Sequence, residues 1–310
     1  MSLEGWVAVT HQDWFDFLAQ RRRWNEVNFW TPSDYYTFRG TPGAPFFFKL
    51  KSPRNAIGGF GFFTRFHKLP DWFAWECFGE ANGAPTFEAM KVRLDALRAK
   101  DRLKGRTGRE QIGCIILSDA IFFPANLWVR QPDDWGSQNL RYKRYDLETG
   151  EGQRIWDECR IAATSLGGAG ELPDHVHERY GSPVLITPRL GQGAFRVEVT
   201  EAYRRACAVT REHSLPALEA AHIRSYARHG PHEVRNGILL RSDIHRLFDT
   251  GYVTVTTDYH FEVSRRLKED FENGRSYHPF HGAPVELPPR REDWPAPEFL
   301  RWHNEHIFRG

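Results

Sequence analysis

The sequence predicts an α+β protein of two domains, and three observations carry that reading. The first is length: 310 residues are twice an ordinary domain of about 150 residues. The second is a break in composition. From Ser165 to Gly193 the chain reads SLGGAGELPDHVHERYGSPVLITPRLGQG, whose glycines and prolines mark a linker between two cores. The third is a change of pattern across that break. Long apolar strand-like runs with helices lie before it, and short strand–loop–strand–helix pieces follow it. The expected division is a first domain at residues 1–165, a linker at 166–193 and a second domain at 194–310.

Composition narrows the class. Apolar residues make up 40% and charged residues 26% of the chain, close to a globular average. No run of 18 apolar residues exists, so no membrane span is expected. The opening MSLEGWVAVT has no basic stretch followed by an apolar core, so no secretory signal is read and a cytoplasmic protein is expected. Four cysteines, Cys77, Cys114, Cys159 and Cys207, lie far apart with no CxxC pair. That spacing argues against a disulfide framework and a cysteine-built zinc site, so no structural zinc is expected. The net charge of +2 neither demands nor forbids a nucleic-acid partner. Aromatic residues reach 14%, with 11 Trp and 23 Phe; they serve either a core or a pocket that stacks on a planar ligand.

Element by element, the apolar spacing from His11 to Trp24 predicts a first helix. FFFKLKS and AIGGFGFF read as strands, and Gly58, Gly59 and Gly61 mark a bulge or a close backbone approach. Thr86 caps a helix running to Lys100, with Phe87, Met90, Leu94 and Leu97 on one face. QIGCIILSDAIFFP is a buried strand, and Asp157 to Ala163 a short closing helix. Beyond the linker come a short helix (Thr200 to Ala206), the strand LEAAHI, a polar loop, the strand NGILL and a helix in SDIHRLFD with Ser242 or Asp243 as its cap. YVTVTTDYHFEVS reads as a hairpin, and a proline-rich tail leads to an amphipathic segment from Glu298 to Phe308.

The chemistry concentrates between Leu218 and Gly251. His222 ends LEAAHI, Asn236 follows 14 positions later, and His245 lies nine beyond that. His245 and Asp249 are four apart, so a helix turns both to one side. An imidazole and a carboxylate on one helical face, opposite a hairpin bearing another histidine, make a site for one divalent cation.

These residues, with the flanking CAVT (Cys207 to Thr210) and RLGQGAFR (Arg189 to Arg196), resemble the HNH endonucleases, the ββα-metal fold, in a subgroup of bacterial restriction-type enzymes. The resemblance implies that His222 is the general base, that Asn236 holds the loop and orients the imidazole by a side-chain hydrogen bond, and that His245 binds Mg²⁺, Mn²⁺, Co²⁺ or Ni²⁺. Asp249 takes the place of a second helix-borne ligand. The family's usual ligand before the base is replaced by Ala221, which leaves Glu219 on the same strand face, or Asp243, as a third ligand. Arg224, Arg241 and Arg246 are candidate phosphate contacts, whereas His213, His229 and His232 are read as isolated polar residues.

The first domain resembles the PUA-like superfamily, with its EVE, SRA and ASCH members. Phe46 to Ser52, Ile57 to Gly61, Trp75, Phe78-Gly79, Asn82-Gly83 and Ile112 to Leu117 carry the likeness. It implies a mixed β-barrel with helices that flips a modified base into an aromatic pocket, for which Trp30, Trp75, Trp128 and Tyr36 are candidate walls. Together the two resemblances imply a modification-dependent restriction endonuclease acting on double-stranded DNA that carries 5-methylcytosine or 5-hydroxymethylcytosine, as in phage defence. Duplex cutting then calls for a homodimer or two successive binding events. The rival readings are an HNH nuclease whose first domain senses a sequence, a nucleotide or a protein, and a DNA-binding module without catalysis.

Overall fold

The computed structural model describes residues 3–35, 37–100, 111–136, 141–166, 191–225, 228, 230–272 and 274–310. The chain divides into two compact units, residues 1–189 and 190–310. Tyr36, His229 and most of the expected linker lie outside the described residues.

The first unit is built on a seven-stranded mixed sheet. Its strands are β1 (Glu4–Thr10), β2 (Arg23–Thr31), β3 (Pro45–Leu50), β4 (Ala56–Pro70), β5 (Gln111–Phe122), β6 (Val129–Arg130) and β7 (Tyr142–Asp146). They lie in the order β2-β5-β4-β3-β1-β7, with β6 paired to β4. The β1–β3 pair is parallel and the rest are antiparallel. Helices α1 (Gln12–Leu18), α2 (Asp71–Phe78), α3 (Phe87–Lys100) and α4 (Gly150–Leu166) accompany it.

β3 shows why its sequence is apolar without alternation. Phe46 and Phe48 share one face of the strand and join the aromatic cluster of Phe29 and Trp14, the latter from α1. Phe47 points to the opposite face and meets Phe60 and Trp156 of α4. A strand covered on both faces is apolar almost throughout; Lys49 is the exception, and its ammonium donates to the Leu50 carbonyl (3.3 Å). The glycines of β4 behave as their spacing predicts. A Cβ on Gly59, whose φ is +158°, would run into the carbonyl of Ile121, and the β4–β5 register shifts between Phe60 and Phe62. One polar link ties the layers: buried Asn82 accepts from Asn28 (2.9 Å) and donates to the carbonyls of Ala74 and Gly79 (3.1 and 2.9 Å).

Three sequence expectations need correction here. The first helix stops at Leu18, and Trp24 sits in β2 with its indole N–H donating back to the Leu18 carbonyl (2.9 Å). The closing helix begins at Gly150 rather than Asp157. β1 and β7, short strands with polar flanks, gave no recognisable period and were not expected at all.

In the second unit, α5 (Gln192–Ala202) packs on the antiparallel hairpin of β8 (Leu218–His222) and β9 (Gly237–Arg241), and α6 (Ser242–Asp249) follows directly. β10 (Val253–Val255) and β11 (Phe261–Val263) form the expected second hairpin, followed by α7 (Arg266–Phe271) and α8 (Pro297–His306). α5 starts eight residues before the expected Thr200, because Phe195, Val197 and Val199 enter the core as a helix. Nor does a side chain cap α6: its N-cap position is Arg241, and the Asp243 carboxylate is taken by Arg241 (2.6 and 2.8 Å) and the Tyr277 hydroxyl (3.1 Å).

The last helix locks α6. His303 is 2% exposed and stacks on Phe248 with ring centroids 3.8 Å apart. Its Nε2–H donates to the Phe248 carbonyl (3.0 Å), which leaves Nδ1 to accept from the Thr254 hydroxyl (2.8 Å). Burial pushes its pKa down to about 4. The unfolded chain therefore takes up a proton near pH 6.5 that the folded one refuses until about pH 4. The stabilisation is complete above pH 6.5 and is lost on acidification across that window, on the order of 3 kcal/mol in total. Thermal melts at successive pH values should show this fall, and His303→Phe should flatten the slope between pH 6.5 and 4.

Candidate functional site

The site is assembled at one end of the β8–β9 hairpin. His222, the last residue of β8, lies opposite Gly237 in the register. The missing side chain at that position matters, because a Cβ on Gly237 would press into Val199 and stand 3.0 Å from the ring of Phe195. Phe195 uses the space to stack on the His222 imidazole, with centroids 3.8 Å apart and planes 13° from parallel. The ring is thus clamped flat against α5.

Asn236 is fully buried and spends its side chain on backbone groups of the β8–β9 loop. Its Nδ2 donates to the carbonyls of Arg224 and Pro231, both at 2.9 Å, and its Oδ1 accepts from the Arg224 N–H (2.9 Å). The expected hydrogen bond from Asn236 to the His222 ring is not made. With two loop carbonyls and one loop N–H already taken up, the amide has no reach left for the imidazole and acts on the loop instead.

The partner of the His222 ring is His232, half-buried in that same loop. His222 Nε2 and His232 Nδ1 are 3.0 Å apart, and the His232 ring also approaches Phe195. Sequence reasoning set His232 aside as an isolated polar residue. The one available signal was its position next to Pro231, whose carbonyl Asn236 holds.

On the neighbouring helix, His245 sits between two carboxylates. Its Nδ1 is 2.6 Å from Glu219 of β8, and its Nε2 is 3.3 Å from Asp249 one turn further along α6. Buried Ile244 and Phe248 anchor the helix face that fixes this position. The candidates His245, Asp249 and Glu219 are therefore brought together around one imidazole. Burial opposes protonation of His245, but Asp249 and Glu219 outweigh it and the pKa is raised. His222 goes the other way: burial, helped by His232 and His245, pushes it down to about 4, so its ring is neutral at pH 7.

One imidazole and two carboxylates suit Mn²⁺, Co²⁺, Ni²⁺ or Mg²⁺ in kind. Both ring nitrogens of His245 are engaged by carboxylates, and among the described residues no three His, Cys, Asp or Glu side chains form a ready cage. The residues fit a cation that takes one His245 nitrogen while the other keeps its carboxylate partner, an arrangement common in protein metal sites. Asp243, the other candidate third ligand, is held by Arg241 and the Tyr277 hydroxyl.

The surrounding groups sort as follows. Arg241 is paired with Asp243, Arg224 lies over the ring of Trp302 (5.4 Å), and Arg246 is exposed on α6. Cys207 is buried, and its sulfur accepts the backbone N–H groups of Arg241 (3.3 Å) and Thr210 (3.5 Å), which ties the CAVT turn to the end of β9.

The proposed base-pocket walls in the first unit are not brought together. Trp30 is only 7% exposed and its indole N–H donates to the Asn82 carbonyl (2.7 Å), so it belongs to the core and offers no stacking face. Trp75 meets Phe87, whereas Trp128 meets Phe15 and the Arg54 guanidinium. Among the described residues no ring contact joins any two of the three, and Tyr36 lies outside them. From sequence each was a tryptophan near a predicted strand, and only packing separates core from surface.

Gly237→Ala should destabilise the protein by roughly 1–3 kcal/mol through overpacking against Val199 and Phe195, read as a lowered melting temperature. In the parent, NMR titration should place the His222 ring near 4; in Gly237→Ala, a displaced Phe195 should let it rise toward 6.5.

Two crystal structures from Zymomonas mobilis are similar to this chain: an ASCH protein (11% identity, 49% of this chain and 94% of that one, TM-score 0.34) and a point variant of it (9% identity, 49% and 96%, TM-score 0.34). No curated protein matches. No helix is long and apolar enough to cross a membrane among the described residues. Residues 207–256, which span the CAVT turn, both strands of the hairpin and α6, match the model of the HNH endonuclease family, and the chain carries an HNH endonuclease domain there.

Proposed function

We propose that this protein is a divalent-metal-dependent DNA endonuclease that cuts DNA carrying modified cytosine. The observation that carries the nuclease reading is the neutral His222 ring, clamped on Phe195 beside the Glu219–His245–Asp249 group, inside the segment that matches the HNH endonucleases. His222 takes a proton from the water that attacks phosphorus, a task open to it because its low pKa keeps it unprotonated at pH 7. The nearby Asp249 carboxylate favours the charge the ring then acquires. His245, with Asp249 or Glu219, would hold the cation. When bound, that ion offsets the charge of the pentacoordinate transition state and of the leaving 3′ oxygen.

The finer part of the reading is the first unit as a PUA-like reader that flips 5-methylcytosine or 5-hydroxymethylcytosine out of the duplex. Its support is the superfamily resemblance of residues 25–135 and the aromatic sheet they build. With Trp30 in the core, Trp75 and Trp128, both half-buried, remain as rings that a base can meet. Burying one methyl group contributes about 1 kcal/mol, so steric or polar rejection of unmodified bases must supply further discrimination. Such an enzyme restricts modified foreign DNA and ignores its host's own. Cutting both strands requires a homodimer or two successive visits.

Cleavage of a plasmid carrying 5-methylcytosine should appear with Mn²⁺, Co²⁺, Ni²⁺ or Mg²⁺ and vanish with EDTA. His222→Ala should lower the rate about 10²–10⁴-fold, and an unchanged rate would remove His222 from the mechanism. A matched oligonucleotide series carrying cytosine, 5-methylcytosine or 5-hydroxymethylcytosine decides the reader: cutting confined to the modified members is expected, whereas equal cutting of all three means the first unit senses something else.

A further inference from the structure

A single hydrogen bond in the site has two possible senses, and they differ in consequence. His222 Nε2 and His232 Nδ1 are 3.0 Å apart, so one proton lies on that line and one ring must donate it. If His232 donates, the proton of neutral His222 sits on Nδ1, and neither His222 nitrogen has a lone pair to offer. If His222 donates, its Nδ1 keeps the lone pair. Nδ1 of His222 makes no hydrogen bond among the described residues; a half-turn of the ring would set Cε1, not the other nitrogen, against His232, and the stack on Phe195 holds the ring plane.

We propose that His232 is the positioning residue of this site: its Nδ1 accepts the Nε2–H of His222 and so keeps the basic lone pair of His222 on Nδ1. The inference rests on the nuclease reading and names how that reading's base is prepared. The proton taken from water goes to Nδ1, the Nε2 proton stays where it is, and the bond to His232 becomes charge-assisted as the ring turns cationic. The hydroxide oxygen forms its bond to phosphorus, the P–O3′ bond breaks, and the leaving oxygen and His222 later exchange protons with solvent. The role usually filled by a carboxylate or a carbonyl behind a catalytic histidine falls here to a second imidazole.

The loop geometry supports the assignment. His232 follows Pro231, whose carbonyl accepts from Asn236 Nδ2 at 2.9 Å. The other arm of the same amide holds Arg224, two residues past His222. Asn236 thus fixes the spacing between the two histidines by gripping the chain next to each.

The test uses the full-length protein with ¹⁵N-labelled histidine. Long-range ¹H–¹⁵N correlation at pH 7 without metal should show His222 protonated on Nε2; finding the proton on Nδ1 overturns the proposal whether or not the protein cuts DNA. In single-turnover cleavage, His232→Phe should slow the chemical step about 10- to 100-fold with half-saturating DNA unchanged. His232→Asn, whose Oδ1 can stand in for the accepting nitrogen, should recover most of that loss. Equal cutting by His232→Phe and the parent, or an Asn variant no better than Phe, rejects the role. If His232→Phe fails to fold, the tautomer of the parent and the rate of His232→Asn decide. A chain with the expected tautomer that cuts no DNA refutes the nuclease reading and leaves the His222–His232 assignment standing.

Discussion

The candidate site depends on one buried amide. Asn236 carries no charge and touches no ring, yet its three hydrogen bonds to the backbone of Arg224 and Pro231 close the loop between β8 and β9. A loop of this length has many conformations, and ordering it costs about 1–2 kcal/mol per residue in backbone entropy. Buried hydrogen bonds that would be expensive to leave unmade are what hold it to one of them. His222 stands at one foot of the loop and His232 at the other. Without the amide the two rings would have no reason to meet at 3.0 Å.

Around that loop the protein shifts two histidines in opposite directions by environment alone. His222 is pressed on an aromatic ring and faces other imidazoles, so burial and like-charge neighbours keep it neutral. His245 lies between Glu219 and Asp249, whose negative charge overcomes its burial. Titratable groups driven apart in this way mark sites of acid–base and metal chemistry. α6 can place His245 because its other face is anchored twice, by Ile244 and Phe248 in the core and by His303 stacked on Phe248. A histidine used for structure therefore supports the helix that carries His245.

The first unit follows a different economy. Its aromatic residues are mostly internal: Phe46, Phe47, Phe48, Phe60 and Phe122 are almost wholly buried and pack in edge-to-face, tilted and stacked pairs. Each such pair contributes roughly 0.5–1.5 kcal/mol beyond its buried area. The richness in tryptophan and phenylalanine is explained first by this core, and of the three described candidate tryptophans Trp75 and Trp128 keep partly exposed rings.

Several features were legible in the residues alone because they rest on local rules. Continuous apolar runs specified β3, β4 and β5, the glycines of β4 announced a close approach, and the i, i+4 spacing put His245 and Asp249 on one face of α6. The spacing of His222, Asn236 and His245 was visible for the same reason, since a hairpin and a helix have fixed repeats. What the chain did not disclose were relations between segments far apart in sequence. The stack of Phe195 on His222 needs Gly237 to be empty, the target of the Asn236 amide is a carbonyl twelve residues back, and His232 becomes a partner only once the loop closes. Trp30 and Trp128 look alike as letters and differ by which neighbours cover them. Periodicity is written in the order of the residues, but which nitrogen holds a proton and which ring meets water are set by through-space contacts, and those exist only in the folded chain.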